Sequence, residues 1–356
     1  MSRLGTCSIC EKETPCISDI LGVCSDCLHQ HFAVVKSHLE SIHSKTRMAH
    51  ELPTKAPKNP EGIQCNLCSN ACQIGEGELG YCGLRTASKG KLLQLAGTPA
   101  KGLVEWYHDS LPTNCVADWI CDGYKHPGCT NLAVFYKSCT ANCLFCQNWH
   151  FRETSVGSSQ TYSAMELASA ARPNTFCACF FGGDPASQMP HALAAAKILA
   201  AKGIRICWET NGMMNPKLLD QAMAYSMQTG GCIKFDLKAF DEEIYLALTG
   251  ISGKSIFENF THAANRFEEQ AHPPLVIAST LLVPGYVGAD QVGKIADFIA
   301  SINPNIPYSL LGFAPHCYMN DLPCTSAKQA REAENAAHRA GLVHVHIGNR
   351  HLLGIE

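Results

Sequence analysis

The chain has 356 residues, a net charge of −3 and 17% charged residues, with no long basic or acidic run. That profile fits one sizeable domain with a smaller attachment, and it argues against a nucleic-acid or polyanion-binding surface. No stretch reaches the ~18 uninterrupted apolar residues of a membrane span, and MSRLGTCSIC has no apolar h-region, so a cytoplasmic protein without membrane association is expected.

The chain has twenty-one cysteines, many of them in C-x2-C and C-x3-C-x2-C clusters. In a reducing compartment that pattern means metal binding or catalysis rather than disulfides. The first cluster lies in residues 1–50, where Cys7-x2-Cys10 and Cys24-x2-Cys27 are separated by 13 residues, the spacing of a zinc ribbon. A four-thiolate zinc site would hold together a unit too small to fold on apolar burial alone. Cys16 is spare. From Leu28 to about Met48 the apolar residues Phe32, Val35, Leu39 and Ile42 predict a helix, and the histidines here (His29, His31, His38, His43, His50) read as surface residues rather than ligands. Residues 51–62, centred on Pro53–Pro60, read as a linker.

The next segment, 63–130, opens on Cys65-x2-Cys68-x3-Cys72-x9-Cys82, with glycines suited to tight turns. Zinc and an auxiliary iron–sulfur cluster both suit these four thiols, with zinc favoured. A looser set, Cys115, Cys121 and Cys129, has no fourth cysteine and can be loop thiols alone.

From residue 131 to 356, strand-like runs alternate with helical periodicity. The strands are Asn131–Tyr136, Thr175–Phe181, Ile204–Trp208, Cys232–Leu237, Leu275–Val283 and Tyr308–Phe313, with Val343–Ile347 a candidate seventh. Helical periodicity falls over Ala164–Ala171, Pro190–Ala201, Pro216–Met227, Ile256–Glu269, Gln291–Ile302 and Ser326–Ala340. Apolar strands alternating with helices predict an α/β fold with a parallel sheet. Six or so units are too few for a closed eight-stranded barrel, so a partial (β/α)6 TIM-type barrel is expected, with a cysteine-rich N-terminal region. Its functional residues belong at the carboxyl ends of the strands.

The first strand end carries Ser138-Cys139-Thr140-Ala141-Asn142-Cys143-Leu144-Phe145-Cys146. Three thiolates in one short loop can hold three corners of an iron–sulfur cubane and leave one iron open, whereas an electron carrier is normally closed by four cysteines. A structural zinc knuckle is the competing reading, with His150 the nearest fourth ligand. The following strands end in Gly182-Gly183-Asp184-Pro185, Glu209-Thr210-Asn211-Gly212 and Asp236-Leu237-Lys238, and Leu248-Thr249-Gly250 and Val283-Pro284-Gly285 come after them.

Taken together and in order, these motifs resemble the pyruvate formate-lyase activating enzyme branch of the radical S-adenosylmethionine (SAM) enzymes, over about residues 131–349. The resemblance implies a [4Fe–4S] cluster on Cys139, Cys143 and Cys146, whose fourth iron binds SAM. It implies that Gly182, Gly183 and Asp184 grip the SAM amino group, with Asp in place of the family's Glu. Glu209 and Asp236 would build a small cation site beside the SAM carboxylate, Lys238 would contact SAM, and His316 in Ala314-Pro315-His316 would approach it. Two departures stand out: Ala278–Leu282 carries no basic residue, and Arg152–Ser163 leads straight into the first helix without a ferredoxin-like insertion. The implied activity is reductive SAM cleavage and hydrogen abstraction, with an external one-electron reductant of flavodoxin or ferredoxin type and an activase-like protein substrate. Radical modification of RNA or a small metabolite is the alternative enzyme reading. A non-catalytic iron–sulfur or zinc scaffold is the alternative class.

Overall fold

The computed structural model describes residues 4–113, 115–154 and 156–354. The N-terminal unit is a hairpin, β1 (Gly5–Thr6) with β2 (Glu13–Thr14), followed by helices α1 (Ser25–Gln30) and α2 (Phe32–Met48). The predicted single helix is broken at His31, which lies outside helical geometry (φ −126°, ψ 26°) and lets the Cys24–Cys27 knuckle sit on α1 while α2 takes its own direction. Two further hairpins follow, β3 (Ile63–Gln64) with β4 (Gln73–Ile74) and β5 (Arg85–Ser88) with β6 (Lys91–Gln94).

The body is one eight-stranded sheet. It comprises β7 (Val104–Ser110), β8 (Thr130–Tyr136), β9 (Thr175–Gly182), β10 (Arg205–Thr210), β11 (Ile233–Asp236), β12 (Val276–Leu282), β13 (Tyr308–Gly312) and β14 (Val345–Gly348), in sequence order across the sheet. From β8 to β14 all neighbours are parallel, so the candidate seventh strand is present. β7 adds an antiparallel edge, Val104 opposite Tyr136 and Ser110 opposite Thr130. Its sequence, VEWYHDS, is largely polar and mostly exposed or half-buried, as an edge strand can be, and this polarity hid it from the sequence analysis.

Helices α3 (Ala164–Ser169), α4 (Met189–Ala201), α5 (Pro216–Thr229), α6 (Glu242–Thr249), α7 (Lys254–Ala264), α8 (Ala289–Ile302) and α9 (Ala327–Arg339) connect the parallel strands, and α10 (Arg350–Leu353) follows β14. Local signals set their ends. Ser163 and Glu166 form a capping box at α3, Asn215 caps α5 with Pro216 in its first turn, and Gly230 and Gly250 close α5 and α6 in the left-handed conformation.

The sheet is open, since β7 and β14 each have a single neighbour, yet it curls. The segment 115–121 lies inside the curve. Trp119 Nε1 donates to Ser309 Oγ on β13 (2.9 Å), its indole stacks on His346 of β14, and Cys115 Sγ lies 3.0 Å from Lys234 Nζ of β11. The plug thus packs across β11, β13 and β14, an arrangement that suits a partial barrel.

The N-terminal unit shares the barrel's core. The Tyr286 hydroxyl accepts from Ser18 N (3.1 Å) and donates to Val23 O (3.0 Å), and Asp321 takes hydrogen bonds from Ser18 Oγ and Asp19 N. The expected Val283-Pro284-Gly285 motif serves this junction. A Cβ on Gly285 (φ +81°) would lie 2.0 Å from the carbonyl oxygen of Cys16. Among the described residues no helix is long and apolar enough to cross a membrane.

Candidate radical SAM site

All seven parallel strands end around one cavity of about 570 Å³. Cys139, Cys143 and Cys146 line it together with Gly182, Gly183, Asp184, Glu209, Asp236 and Lys238. The fold therefore gathers residues that span one hundred positions of sequence, as the strand-end rule predicts.

The cysteine loop is held from several sides. Asn142 N and Leu144 N donate to the carbonyls of Thr249 and Leu248 at the end of α6 (2.9 and 3.0 Å). The Leu248-Thr249-Gly250 motif thus anchors the loop. Tyr318 N donates to Leu144 O (2.9 Å) and Arg152 Nη2 to Cys143 O (3.1 Å). From α2, His43 Nδ1 and Thr46 Oγ1 both meet Asn142 Nδ2 at 2.9 Å, while His43 Nε2 meets Ala247 O at 3.0 Å. His43 is buried, contrary to its expected surface position, and burial lowers its pKa to about 4, so the ring acts as a neutral clamp.

Burial also raises all three loop thiols, Cys146 to about 12. They are protonated unless a metal takes them as thiolates, which is the usual coupling of metal binding to proton release. Their sulfurs are not drawn together. Among the described residues the one group of three or more ligand atoms mutually within 4.8 Å is Cys7, Cys10, Cys24 and Cys27. Three spread thiols facing a large cavity fit the corners of a cubane with one side open, and the donor set is all sulfur, as such clusters require.

Gly182 and Gly183 bring the backbone of β9 against this loop. Gly183 N donates to Tyr136 O (2.7 Å), Asp184 N donates to Ser138 O (2.9 Å), and a Cβ on Gly183 would lie 2.3 Å from the Ser138 carbonyl oxygen. The Asp184 carboxylate, 3% exposed, is engaged within the protein. Its Oδ1 accepts from Ala186 N (2.7 Å), its Oδ2 from Asn211 N (2.6 Å), and both lie within reach of Thr210 Oγ1. Asn211 in turn reaches Thr140 Oγ1 (3.0 Å) and Cys139 Sγ (3.8 Å). Desolvation nevertheless raises Asp184 to about 6.

Each of the two strand-end carboxylates has its own lysine. Asp236 pairs with Lys238, and Glu209 Oε2 lies 3.6 Å from Lys234 Nζ. Burial works against the Lys238 ammonium, but the Asp236 carboxylate outweighs it, and the pKa rises. Its Nζ also lies 5.5 Å from the centre of the Phe145 ring, so the ammonium touches the cluster loop.

His316 is not among the cavity-lining residues; it precedes the 3-10 turn Cys317–Met319, which braces the loop through Tyr318. The last strand supplies a different histidine, His346, with Asn349 and Arg350 beside it. Sequence reasoning missed these because it treated the seventh strand as marginal. It also missed Lys234, 1% exposed and 3.0 Å from the sulfurs of both Cys115 and Cys179. An isolated lysine in an apolar strand was the available signal. Of Cys115, Cys121 and Cys129, the first two line one small cavity with Cys177, Cys179, Cys207 and Cys232, and Cys129 is not part of it. Cys115 faces Lys234, Cys121 Sγ accepts from Gly123 N, and Cys129 leads into β8.

Residues 133–299 match the family model described as the Radical SAM superfamily, so the chain carries a radical SAM domain there. Over 141 residues the chain is 28% identical to a protein of Methanocaldococcus jannaschii provisionally named as a glycyl-radical enzyme activating enzyme, covering 40% of this chain and 50% of that protein. Over 133 residues it is 32% identical to an isethionate sulfite-lyase activating enzyme of Desulfovibrio desulfuricans, covering 37% of this chain and 40% of that protein. The chain thus spans half or less of the curated relatives it matches. A solved domain of a pyruvate-formate lyase-activating enzyme from Bacteroides vulgatus superposes with a TM-score of 0.39 at 21% identity, over 49% of this chain and 99% of that one.

Proposed function

We propose that this chain is a radical SAM enzyme of the activase type. It would hold a [4Fe–4S] cluster on Cys139, Cys143 and Cys146 and bind SAM across the ends of β9, β10 and β11. The observation that carries this is convergence: the three thiols and the three strand-end motifs open into one 570 Å³ cavity. The bound cluster and SAM supply reductive cleavage and hydrogen abstraction, and the protein's part is positioning and exclusion.

The closely approaching backbone at Gly182–Gly183 leaves room for the SAM amino group. The buried Asp184 carboxylate fixes that turn against Asn211 and so against Cys139. Lys238, held cationic by Asp236, offers a donor to the SAM carboxylate, and Glu209 is partly neutralised by Lys234. Phe145, Phe151 and Phe181 give the cavity an apolar wall. The part bounded by Leu281, Leu311, His346 and Asn349 is left for the substrate.

The activating enzymes among its relatives favour a protein substrate. Modification of RNA or of a small metabolite is the competing reading. An external one-electron reductant of flavodoxin or ferredoxin type is needed, and clustered thiols suit a cytoplasmic protein. Residues 1–50 form a zinc-bound unit on Cys7, Cys10, Cys24 and Cys27, joined by the linker 51–62 and a cysteine-rich segment to a barrel that takes its edge strand β7 (Val104–Ser110) from that segment and its parallel units from residue 131 onward. The test is anaerobic protein with dithionite and SAM. A [4Fe–4S]+ paramagnetic signal that SAM shifts, with 5′-deoxyadenosine formed, supports the proposal. A signal indifferent to SAM, with no product, overturns it.

A further inference from the structure

Among the described residues two guanidiniums carry buried N–H groups without a partner, Arg85 and Arg152. Arg85 lines a small cavity with Cys65, Cys68, Cys72 and Cys82, apart from the SAM cavity, and its Nη1 lies 3.4 Å from Cys82 Sγ. Arg152 borders the large cavity itself, together with Cys143, Phe145 and Cys146.

Arg152 sits in the 3-10 turn Trp149–Glu153, just past the last loop cysteine, and is 7% exposed. Its two terminal nitrogens differ. Nη2 donates to Cys143 O (3.1 Å) and braces the loop, whereas Nη1 is buried and has no acceptor. Arg205 and Arg266 are paired with Asp122 and Glu269, but among the described residues no carboxylate pairs with Arg152. A second cation makes the imbalance larger. Arg47 of α2, 2% exposed, donates to the carbonyls of Pro53 and Tyr81, and burial and then repulsion from Arg152 lower its pKa.

A buried guanidinium with an unpartnered N–H is costly unless an anion lies beside it, and a like charge nearby adds to that cost. The available anions are in the cysteine loop. Burial raises the Cys143 and Cys146 thiols, and the charge of Arg152 is among those that oppose the rise. As ligands both would be thiolates, and the complex they hold gains one more negative charge when it is reduced. Nη1 is shut away from solvent, so a group fixed beside it is a better acceptor than a ligand that comes and goes. Net charge and hydrogen bonds to the sulfurs are what set the potential of such a cluster.

We propose that Arg152 is a positioning residue that sets the reduction potential of the catalytic cluster: its Nη1–H is held for a thiolate of Cys143 or Cys146, and its fixed charge favours the reduced state. The guanidinium keeps its protons throughout and transfers nothing. The inference rests on the function proposed above.

The test uses the full chain with its cluster loaded anaerobically, as wild type, Arg152→Gln and Arg152→Lys. Iron is counted, SAM affinity is titrated, and the midpoint is read by potentiometric titration of the [4Fe–4S]+ signal without SAM. Arg152→Gln keeps an amide donor for Cys143 O but loses the charge. Its midpoint should be lower by about 59 mV or more, a roughly tenfold loss in the one-electron reduction equilibrium, at unchanged iron content and SAM affinity. Arg152→Lys keeps the charge without the planar fork and should recover part of the shift. The difference between wild type and Arg152→Gln should persist in high salt, because a buried charge is poorly screened. An unmoved midpoint in Arg152→Gln overturns the inference. So does weaker SAM binding at an unmoved midpoint, which would assign Nη1 to SAM. Iron lost from both variants, or a lysine variant as low in potential as the glutamine one, would reduce Arg152 to a brace of the loop and also overturns it. A wild-type protein that holds no cluster fails earlier and differently, since it sinks the proposed function before any variant is compared.

Discussion

Asp184 Oδ2 accepts the backbone N–H of Asn211 at 2.6 Å, and through this bond the end of β9 fixes the end of β10. The same carboxylate caps the turn at Ala186 N (2.7 Å). Replacing Asp184 by Ala leaves two buried backbone donors without partners, at about 1–3 kcal/mol each. The chemical-denaturation midpoint should fall accordingly, and SAM binding should weaken with it because Asn211 also borders Cys139. The pH dependence has a definite sign. Burial raises the folded-state pKa to about 6, above the unfolded value of about 3.9, so the folded protein binds the proton more tightly. This contribution is fully present below about pH 4 and is lost as pH rises through about 6. Asp184→Asn should flatten the stability profile across that window by about 2–3 kcal/mol. An unaltered profile would assign the pH dependence to another group.

Tyr286 joins the N-terminal unit to the barrel with two hydrogen bonds from one hydroxyl. Tyr286→Phe keeps the ring and its packing but strands Ser18 N and Val23 O, costing about 1–3 kcal/mol. The expected outcome is faster limited proteolysis within Pro53–Pro60, with zinc at Cys7, Cys10, Cys24 and Cys27 retained. Loss of zinc together with faster cleavage would show that docking and metal binding form one cooperative unit.

Cys143 is the most buried of the three loop cysteines, and its backbone carbonyl is already held by Arg152. Cys143→Ala therefore removes a ligand without freeing the loop. A cubane held at two corners is labile, so iron at this site and 5′-deoxyadenosine formation should both vanish while the far-ultraviolet circular dichroism stays unchanged. Surviving SAM cleavage would overturn the cluster assignment.

Much of this was legible in the sequence, for separable reasons. Apolar strands with period-3.6 helices between them marked the parallel units, and short motifs with fixed spacing marked their ends. Cys139, Gly183, Glu209 and Asp236 reached one cavity because strand ends in such a fold must. The elements that stayed hidden carry weak periodic signals. β7 is a polar edge strand, and α6 is eight residues long, too short for periodicity to show. His43 was misjudged for a different reason. Helix periodicity places it beside Ile42 on the packed face, but the partner that buries it, Ala247, is two hundred residues away. The pairing of Glu209 with Lys234 was invisible on similar grounds, since neighbouring strands set that distance and no local pattern encodes it.

Lys238 gives the sharpest test of the SAM site. It is 8% exposed, is paired with Asp236, and lies 5.5 Å from the Phe145 ring of the cluster loop. An ammonium so placed has two roles to separate: donor to the SAM carboxylate, or internal counterion to Asp236. Lys238→Ala removes both, and a hydrogen bond to a charged group is typically worth about 1.5–3 kcal/mol. SAM affinity should therefore drop by roughly tenfold to a hundredfold, read by titrating SAM while following the cluster's spectrum. Asp236→Asn removes only the counterion and leaves the ammonium free, so SAM should still bind. If Asp236→Asn weakens SAM as much as Lys238→Ala does, the ion pair acts as a single structural unit. If Lys238→Ala binds SAM as well as wild type, the lysine belongs to the wall of the cavity and the SAM carboxylate must be held elsewhere.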